Sequence, residues 1–261
     1  MKPSFESRAV RICIAASALL IAASSAGADG APALQTTFLS ELPEVQERGE
    51  LQLETVLERL DDDLALGLGA EWGLTDAWQL EVEIGGLLDA ASTGLESVEI
   101  GALYGRTARD GAWSWAAGAG VELRPNGLDG GPDDAAVLES SVLASRTWGV
   151  WGLFAELSGE WVIDDGEMPS GDFAPTPGDG EGVEGPEDEI SFGVGVFVTM
   201  PWGAWIAEVA AERELDGGET EVEAAFGPVW RVAADAEIGL AAVAGVDGGD
   251  DGVIAAFTVE F

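Results

Sequence analysis

Apolar and polar residues alternate with period two along most of the chain. Across 77–86, Trp78, Leu80, Val82 and Ile84 point one way, while Gln79, Glu81 and Glu83 point the other. Across 112–124, Trp113, Trp115, Ala117, Ala119, Val121 and Leu123 oppose Ser114, Gly118, Gly120 and Glu122. The same holds in 189–200, where Ile190, Phe192, Val194, Val196 and Val198 oppose Ser191, Gly193, Gly195 and Phe197. The last residues repeat it, with Val253, Ala255, Phe257, Val259 and Phe261 against Ile254, Ala256, Thr258 and Glu260. Period two is the mark of a strand with one apolar face. Divided at clusters of Gly, Asp and Pro, the pattern predicts twelve strands, at about 49–59, 63–72, 77–86, 96–105, 112–124, 135–146, 150–161, 189–200, 204–212, 219–230, 235–246 and 252–261.

Strands of about ten residues with one apolar face match the length of a tilted passage through a bilayer. An open sheet there would leave edge backbone groups unpaired in lipid, so the strands must close on themselves. The expected fold is therefore all-β, a transmembrane antiparallel up-and-down β-barrel of about twelve strands. Short connections (Gly73–Asp76, Arg106–Gly111, Thr147–Gly149, Pro201–Gly203, Val232–Ala234) alternate with longer acidic ones (Leu60–Asp62, Leu87–Leu95, Pro125–Asp134, Val162–Asp188, Arg213–Gly218, Asp247–Asp251). Short turns on the periplasmic side and long loops outside are usual in such barrels, and an even strand count puts both termini in the periplasm. The competing reading of any one strand is the edge of a secreted acidic β-sandwich.

Tryptophan separates the two. Trp72, Trp78, Trp113, Trp115, Trp148, Trp151, Trp202, Trp205 and Trp230 lie within a few residues of a short turn, and Trp161 alone lies near a long one. Trp72, Trp78, Trp113, Trp115, Trp151, Trp205 and Trp230 also share the apolar parity of the adjoining strand. A sandwich core would show no such bias, whereas a membrane interface holds an aromatic girdle.

The start of the chain fits an exported protein. Lys2, Arg8 and Arg11 precede an apolar run from Ile12 to Ala23, and small residues at Ala26-Gly27-Ala28 precede Asp29. That is the pattern of a cleaved signal peptide over 1–28. Cys13 lacks the context of a lipoprotein box. Residues 29–48 form a periplasmic tail or a small plug, and 49–261 form the barrel. Beyond residue 28 there is no Cys, Lys or His, which excludes disulfides, thiol chemistry and histidine-bound metals there. Eight Arg remain against 48 acidic residues, a net charge of −40. Nucleic acid is excluded as a partner by that charge. Mean hydropathy is nonetheless above zero, so acidic and apolar groups must be segregated in space. A lumen opposite lipid achieves this, and so does the acid coat of a protein from a saline habitat.

With these residues in view, the chain resembles the outer-membrane transporter-like family named after the phenol meta-cleavage pathway. The matching stretches are Glu41-Leu42-Pro43, Arg48-Gly49-Glu50-Leu51-Gln52-Leu53-Glu54, Glu71-Trp72-Gly73-Leu74-Thr75-Asp76-Ala77-Trp78-Gln79-Leu80-Glu81 and Glu99-Ile100-Gly101. They are short and lie in the first third of the mature chain. The resemblance implies a barrel of about a dozen strands that passes small organic compounds. This chain is far more acidic than the family pattern.

The polar parity gathers Glu54, Glu71, Glu81, Glu83, Glu99, Glu122, Glu156, Glu208, Glu221, Glu223 and Glu237, with Arg124, as lumen-lining candidates. Rings of carboxylates favour cations. The expected activity is passage of small solutes through a cation-preferring pore in the bacterial outer membrane, and the alternative is a non-conducting structural or surface-binding barrel. No cofactor or metal is expected. Asp129-Gly130-Gly131 with Asp133-Asp134, and Asp247-Gly248-Gly249-Asp250-Asp251, lack the spacing of an EF-hand and read as solvated turns. Pairs such as Glu81/Glu83 and Glu221/Glu223 fall at i, i+2 because that is the period of one strand face, so an enzyme is not expected. The partners expected are membrane lipid, small solutes and the outer-membrane assembly machinery. Phe257, Val259 and Phe261 are the assembly signal of the last strand.

Overall fold

The computed structural model describes residues 36–60, 63–88, 93–108, 113–124, 135–164, 188–215, 218 and 220–261. The signal segment 1–28, the acidic residues Asp129–Asp134 and most of the connection Val162–Asp188 lie outside the described residues. Twelve strands follow in order: β1 Leu51–Leu60, β2 Asp63–Thr75, β3 Trp78–Leu88, β4 Thr93–Thr107, β5 Trp113–Arg124, β6 Ala135–Trp148, β7 Trp151–Asp164, β8 Glu189–Met200, β9 Gly203–Glu214, β10 Thr220–Ala233, β11 Ala236–Asp247 and β12 Gly252–Glu260. Each pairs antiparallel with its sequence neighbours, and β12 pairs with β1 to close the barrel. The closing seam runs from Gln52 opposite Glu260 to Leu60 opposite Gly252. Beyond it, the Phe261 and Leu51 backbones exchange bonds of 2.9 and 3.2 Å.

Closure leaves each strand an outward and an inward face. Leu80, Val82, Ile84, Ile100, Phe192 and Phe226 are exposed outward, as are all ten Trp. An apolar surface so extensive is not tolerated in water. Inward parity carries the carboxylates and glycines.

Most strands extend past the alternating segments, which changes the connections. The Leu60–Asp62 link, expected among the longer loops, leaves only residues 61–62 between β1 and β2. The Leu87–Leu95 loop shrinks to 89–92, because Leu87 pairs with Gly94 and Leu88 with Thr93. Backbone pairing needs no side-chain period, so alternation understates strand length. The two-residue turn after Trp148 uses Gly149 at φ 62°, a conformation that favours glycine. Pro228 in β10 has no N–H to give, and the β10–β11 register lacks partners between Phe226 and Val229.

Candidate functional site

The inner wall and the segment 36–50 form the site. The tail or plug expected over 29–48 is described from residue 36, and the bonds of 36–50 run to the inward face of seven strands. Thr36 Oγ1 lies 2.8 Å from Thr258 Oγ1 on β12. The Phe38 and Leu39 amides donate to the two carboxylate oxygens of Glu208 on β9, at 2.8 and 2.9 Å. The Glu41 amide donates to Glu156 on β7 at 2.9 Å, and Ser145 on β6 donates to Glu44 at 3.1 Å. The Gln46 amide donates to Gln79 Oε1 on β3 at 2.7 Å, and its side chain donates to Gln52 on β1 and Glu71 on β2 at 2.8 and 3.2 Å. Gln79 in turn donates to Glu71 and Glu81, each at 2.9 Å.

Apolar contacts complete the docking. Phe38 and Leu42 pack on Phe154, Phe197, Ala204, Ile206 and Val229. Phe38 and Leu39 also pack on Ala225, Ala241, Val243 and Ile254, and Val45 packs on Leu103, Ala116 and Leu143. These wall residues take inward positions, and of the large ones only Phe197 and Ile254 were placed on the polar parity by sequence. Glycine makes the room: a Cβ at Gly105 would meet Val45, one at Gly239 would meet Phe38 at 2.8 Å, and one at Gly73 would strike the Glu47 carbonyl.

The remaining inner wall is acidic. Register sets Glu71 opposite Glu81, Glu83 opposite Glu99, Glu99 opposite Glu122, Glu160 opposite Glu139 and Glu189, and Glu212 opposite Glu221. Like charges directly opposite each other are destabilising, so water, cations or shared protons must offset the repulsion. Glu54 accepts from Thr258 at 3.4 Å, and Glu223 accepts the Asp250 amide at 2.9 Å. Arg124 bridges Glu122 and Glu160, each at 2.6 Å. The carboxylates of Glu122, Glu139 and Glu160 lie within 4.8 Å of one another, and Arg124 already serves two of them. A second inward arginine escaped the sequence reading: Arg231 meets the buried Glu237 at 3.3 Å. It lies past the expected end of its strand, on the stretch that β10 adds. In the Asp247–Asp251 turn, the Asp251 carboxylate accepts the Gly245 amide at 3.0 Å.

Cavities of about 370 and 400 Å³ flank the segment, the first against β1–β4 and the second against β1, β2 and β7–β9. A third of about 110 Å³ is lined by Glu41, Glu81, Glu99, Glu139, Glu156 and Glu160, among others. Glu41 lines this acidic space and keeps an exposed surface there, yet the wall surrounds it. Enclosure, and then the charges of Glu81, Glu156, Glu71 and Glu99, push its carboxyl well above the usual carboxylate range. Burial likewise raises Glu44, against the lowering effect of the Ser145 and Ser114 hydroxyls.

Such a barrel, lined inside and apolar outside, has solved counterparts. Its fold is similar to that of outer-membrane channels. An outer membrane channel from Pseudomonas putida F1 superposes with a TM-score of 0.57 at 12% identity, covering 84% of this chain and 98% of that one. The NanC porin gives 0.56 at 12% identity, covering 81% and 98%. The KdgM porin gives 0.55 at 8% identity, covering 80% and 99%. By sequence, no family model and no curated protein matches.

The girdle candidates Trp72, Trp78, Trp113, Trp115, Trp151, Trp205 and Trp230 are all exposed outward, each within a few residues of a short turn. Of the assembly residues, Phe261 is exposed, while Phe257 and Val259 pack with Ala236, Leu53 and Ile238.

Proposed function

We propose that the protein is a bacterial outer-membrane channel for small solutes, exported by its signal segment and assembled through the strand ending in Phe261. The observation that carries this reading is a closed barrel with an apolar outer face and a wet, acidic inner one. Likeness in fold to the NanC and KdgM porins and to the Pseudomonas channel supports it. The Gly73-Leu74-Thr75-Asp76 turn supports placement in the phenol meta-cleavage family. The lumen prefers cations, because inward carboxylates outnumber the described inward arginines Arg124 and Arg231. The KdgM porin has also been solved with oligogalacturonate. That ligand is a polycarboxylate, which this wall would repel, so it is not carried over.

The 36–50 segment narrows the passage, and its many bonds favour a second reading, a barrel closed at rest. Planar-bilayer recordings in a salt gradient test both, using the mature chain and a form lacking 36–47. A reversal potential of cation sign is expected, with larger conductance in the shortened form. Anion selectivity would overturn the lumen argument. Silence from both forms would overturn the channel and leave a structural barrel.

A further inference from the structure

Four of the arginines beyond residue 28 fall into two pairs by what they meet. Eight stand against 48 acidic residues beyond residue 28. The inward Arg124 and Arg231 are ion-paired with glutamates. Arg106 and Arg146 lie on outward parity at the short-turn end of β4 and β6, Arg106 in register with Trp115 and Arg146 with Trp113. Neither forms an ion pair among the described residues. The Arg146 guanidinium carbon sits 4.6 Å from the Trp113 ring centre and 4.8 Å from that of Trp148. Its Nε is buried and has no hydrogen-bond partner among the described residues. Arg106 donates Nε to the Tyr104 hydroxyl at 3.1 Å, and its guanidinium carbon lies 5.7 Å from that ring. Trp78 and Trp115 extend the aromatic surface, with ring centres 5.0 and 5.8 Å from Tyr104. One strand separates β4 from β6 and the two positions are offset by two residues along it, so the two arginine backbones stand roughly 12 Å apart.

A partly desolvated cation with no counter-charge among the described residues is stabilised by an anion from outside. Indoles beside the Arg146 guanidinium hold it by cation–π attraction. That planar fork matches phosphate oxygens bidentately. A belt of outward tryptophans marks the depth at which headgroups lie. We propose that Arg106, beside Tyr104, and Arg146, beside Trp113 and Trp148, bind the phosphate of a phospholipid headgroup. The site rests on the membrane placement argued above.

Native mass spectrometry of the delipidated mature barrel, titrated with dioleoylphosphatidylglycerol, tests the site. One phospholipid is expected to bind ahead of the rest, with Arg146→Gln weakening it about tenfold, the loss of one charge-assisted contact. Arg106→Gln weakens it less, and the double variant weakens it most. Arg213→Gln, on outward parity at the opposite end of the barrel, leaves it unchanged. Equal affinity of Arg146→Gln and the native chain overturns the site, and so does equal binding of dioleoylglycerol, which lacks the phosphate. A gain in lipid binding by Asp110→Asn would assign Arg146 to that carboxylate and overturn it too. Heat-modifiable gel mobility verifies that each variant folds. Flotation with phosphatidylcholine vesicles separates the two readings. A native barrel that fails to float overturns the membrane placement, whereas floating variants with unchanged titrations overturn the headgroup site alone.

Discussion

Glu208 is the strongest single anchor of the 36–50 segment, and Glu208→Ala removes it cleanly. The carboxylate is 2% exposed and takes the Phe38 and Leu39 amides on separate oxygens. A hydrogen bond to a charged group contributes about 1.5–3 kcal/mol net. Release lets water replace both bonds, so the lower end applies, and the pair is worth about 3 kcal/mol, or roughly 150-fold in the docking equilibrium. Glu208→Gln keeps one acceptor and turns an amide donor toward the other N–H, so it loses about half, roughly tenfold. Native-state hydrogen exchange at the Phe38 and Leu39 amides reads this equilibrium directly. Protection falls in the order native, Gln, Ala, with β-strand amides unaffected. If Glu208→Gln instead holds the segment more tightly than the native residue, the cost of burying a carboxylate outweighs its bonds and the reasoning fails.

Three further outcomes follow from the geometry. Gly105→Val places a branched side chain where Val45 sits; it displaces the segment and raises conductance, with strand content by circular dichroism unchanged. Docking also depends on pH through Glu41 and Glu44, whose carboxyls are raised when docked. A raised acid stabilises the docked state at low pH and loses that contribution as pH rises through the raised value. Conductance therefore climbs from acidic toward alkaline solution, and Glu41→Gln flattens the climb; a fall with rising pH would refute the assignment. Deleting Phe261 removes two backbone bonds at the seam, costing about 1–3 kcal/mol, and lowers the urea midpoint of the folded form on gels.

The barrel was legible because period two survives wherever one face is apolar and the other polar. β3 shows why: Leu80, Val82 and Ile84 alternate with glutamates, and nothing inside competes for that stretch. Arg231 was missed because Val232–Ala234 reads as a short turn that ends the expected strand at Trp230, while backbone pairing continues to Ala233. Inward apolar residues such as Leu103, Leu143, Phe154 and Ile206 were missed for another reason. A strand apolar on both faces has no readable sidedness until its second partner is known. That partner was in view as Phe38, Leu39, Leu42 and Val45, a short apolar set in a stretch too brief to be a strand of the barrel. The amide-to-glutamate bonds that hold it leave no trace in a pattern of side chains.

The seam between β1 and β12 has a consequence for how the chain reaches its shape. Gln52 and Glu260 face each other from opposite ends of the barrel sequence. Every other pairing joins strands consecutive in sequence, whereas this one spans the whole barrel and carries the largest loop-closure entropy. Until it forms, the nascent sheet carries two open edges, each a template for aggregation. Thr36, just ahead of the first strand, already grips Thr258 in the last. The N-terminal segment is thus a latch across the closing gap as well as an occupant of the interior.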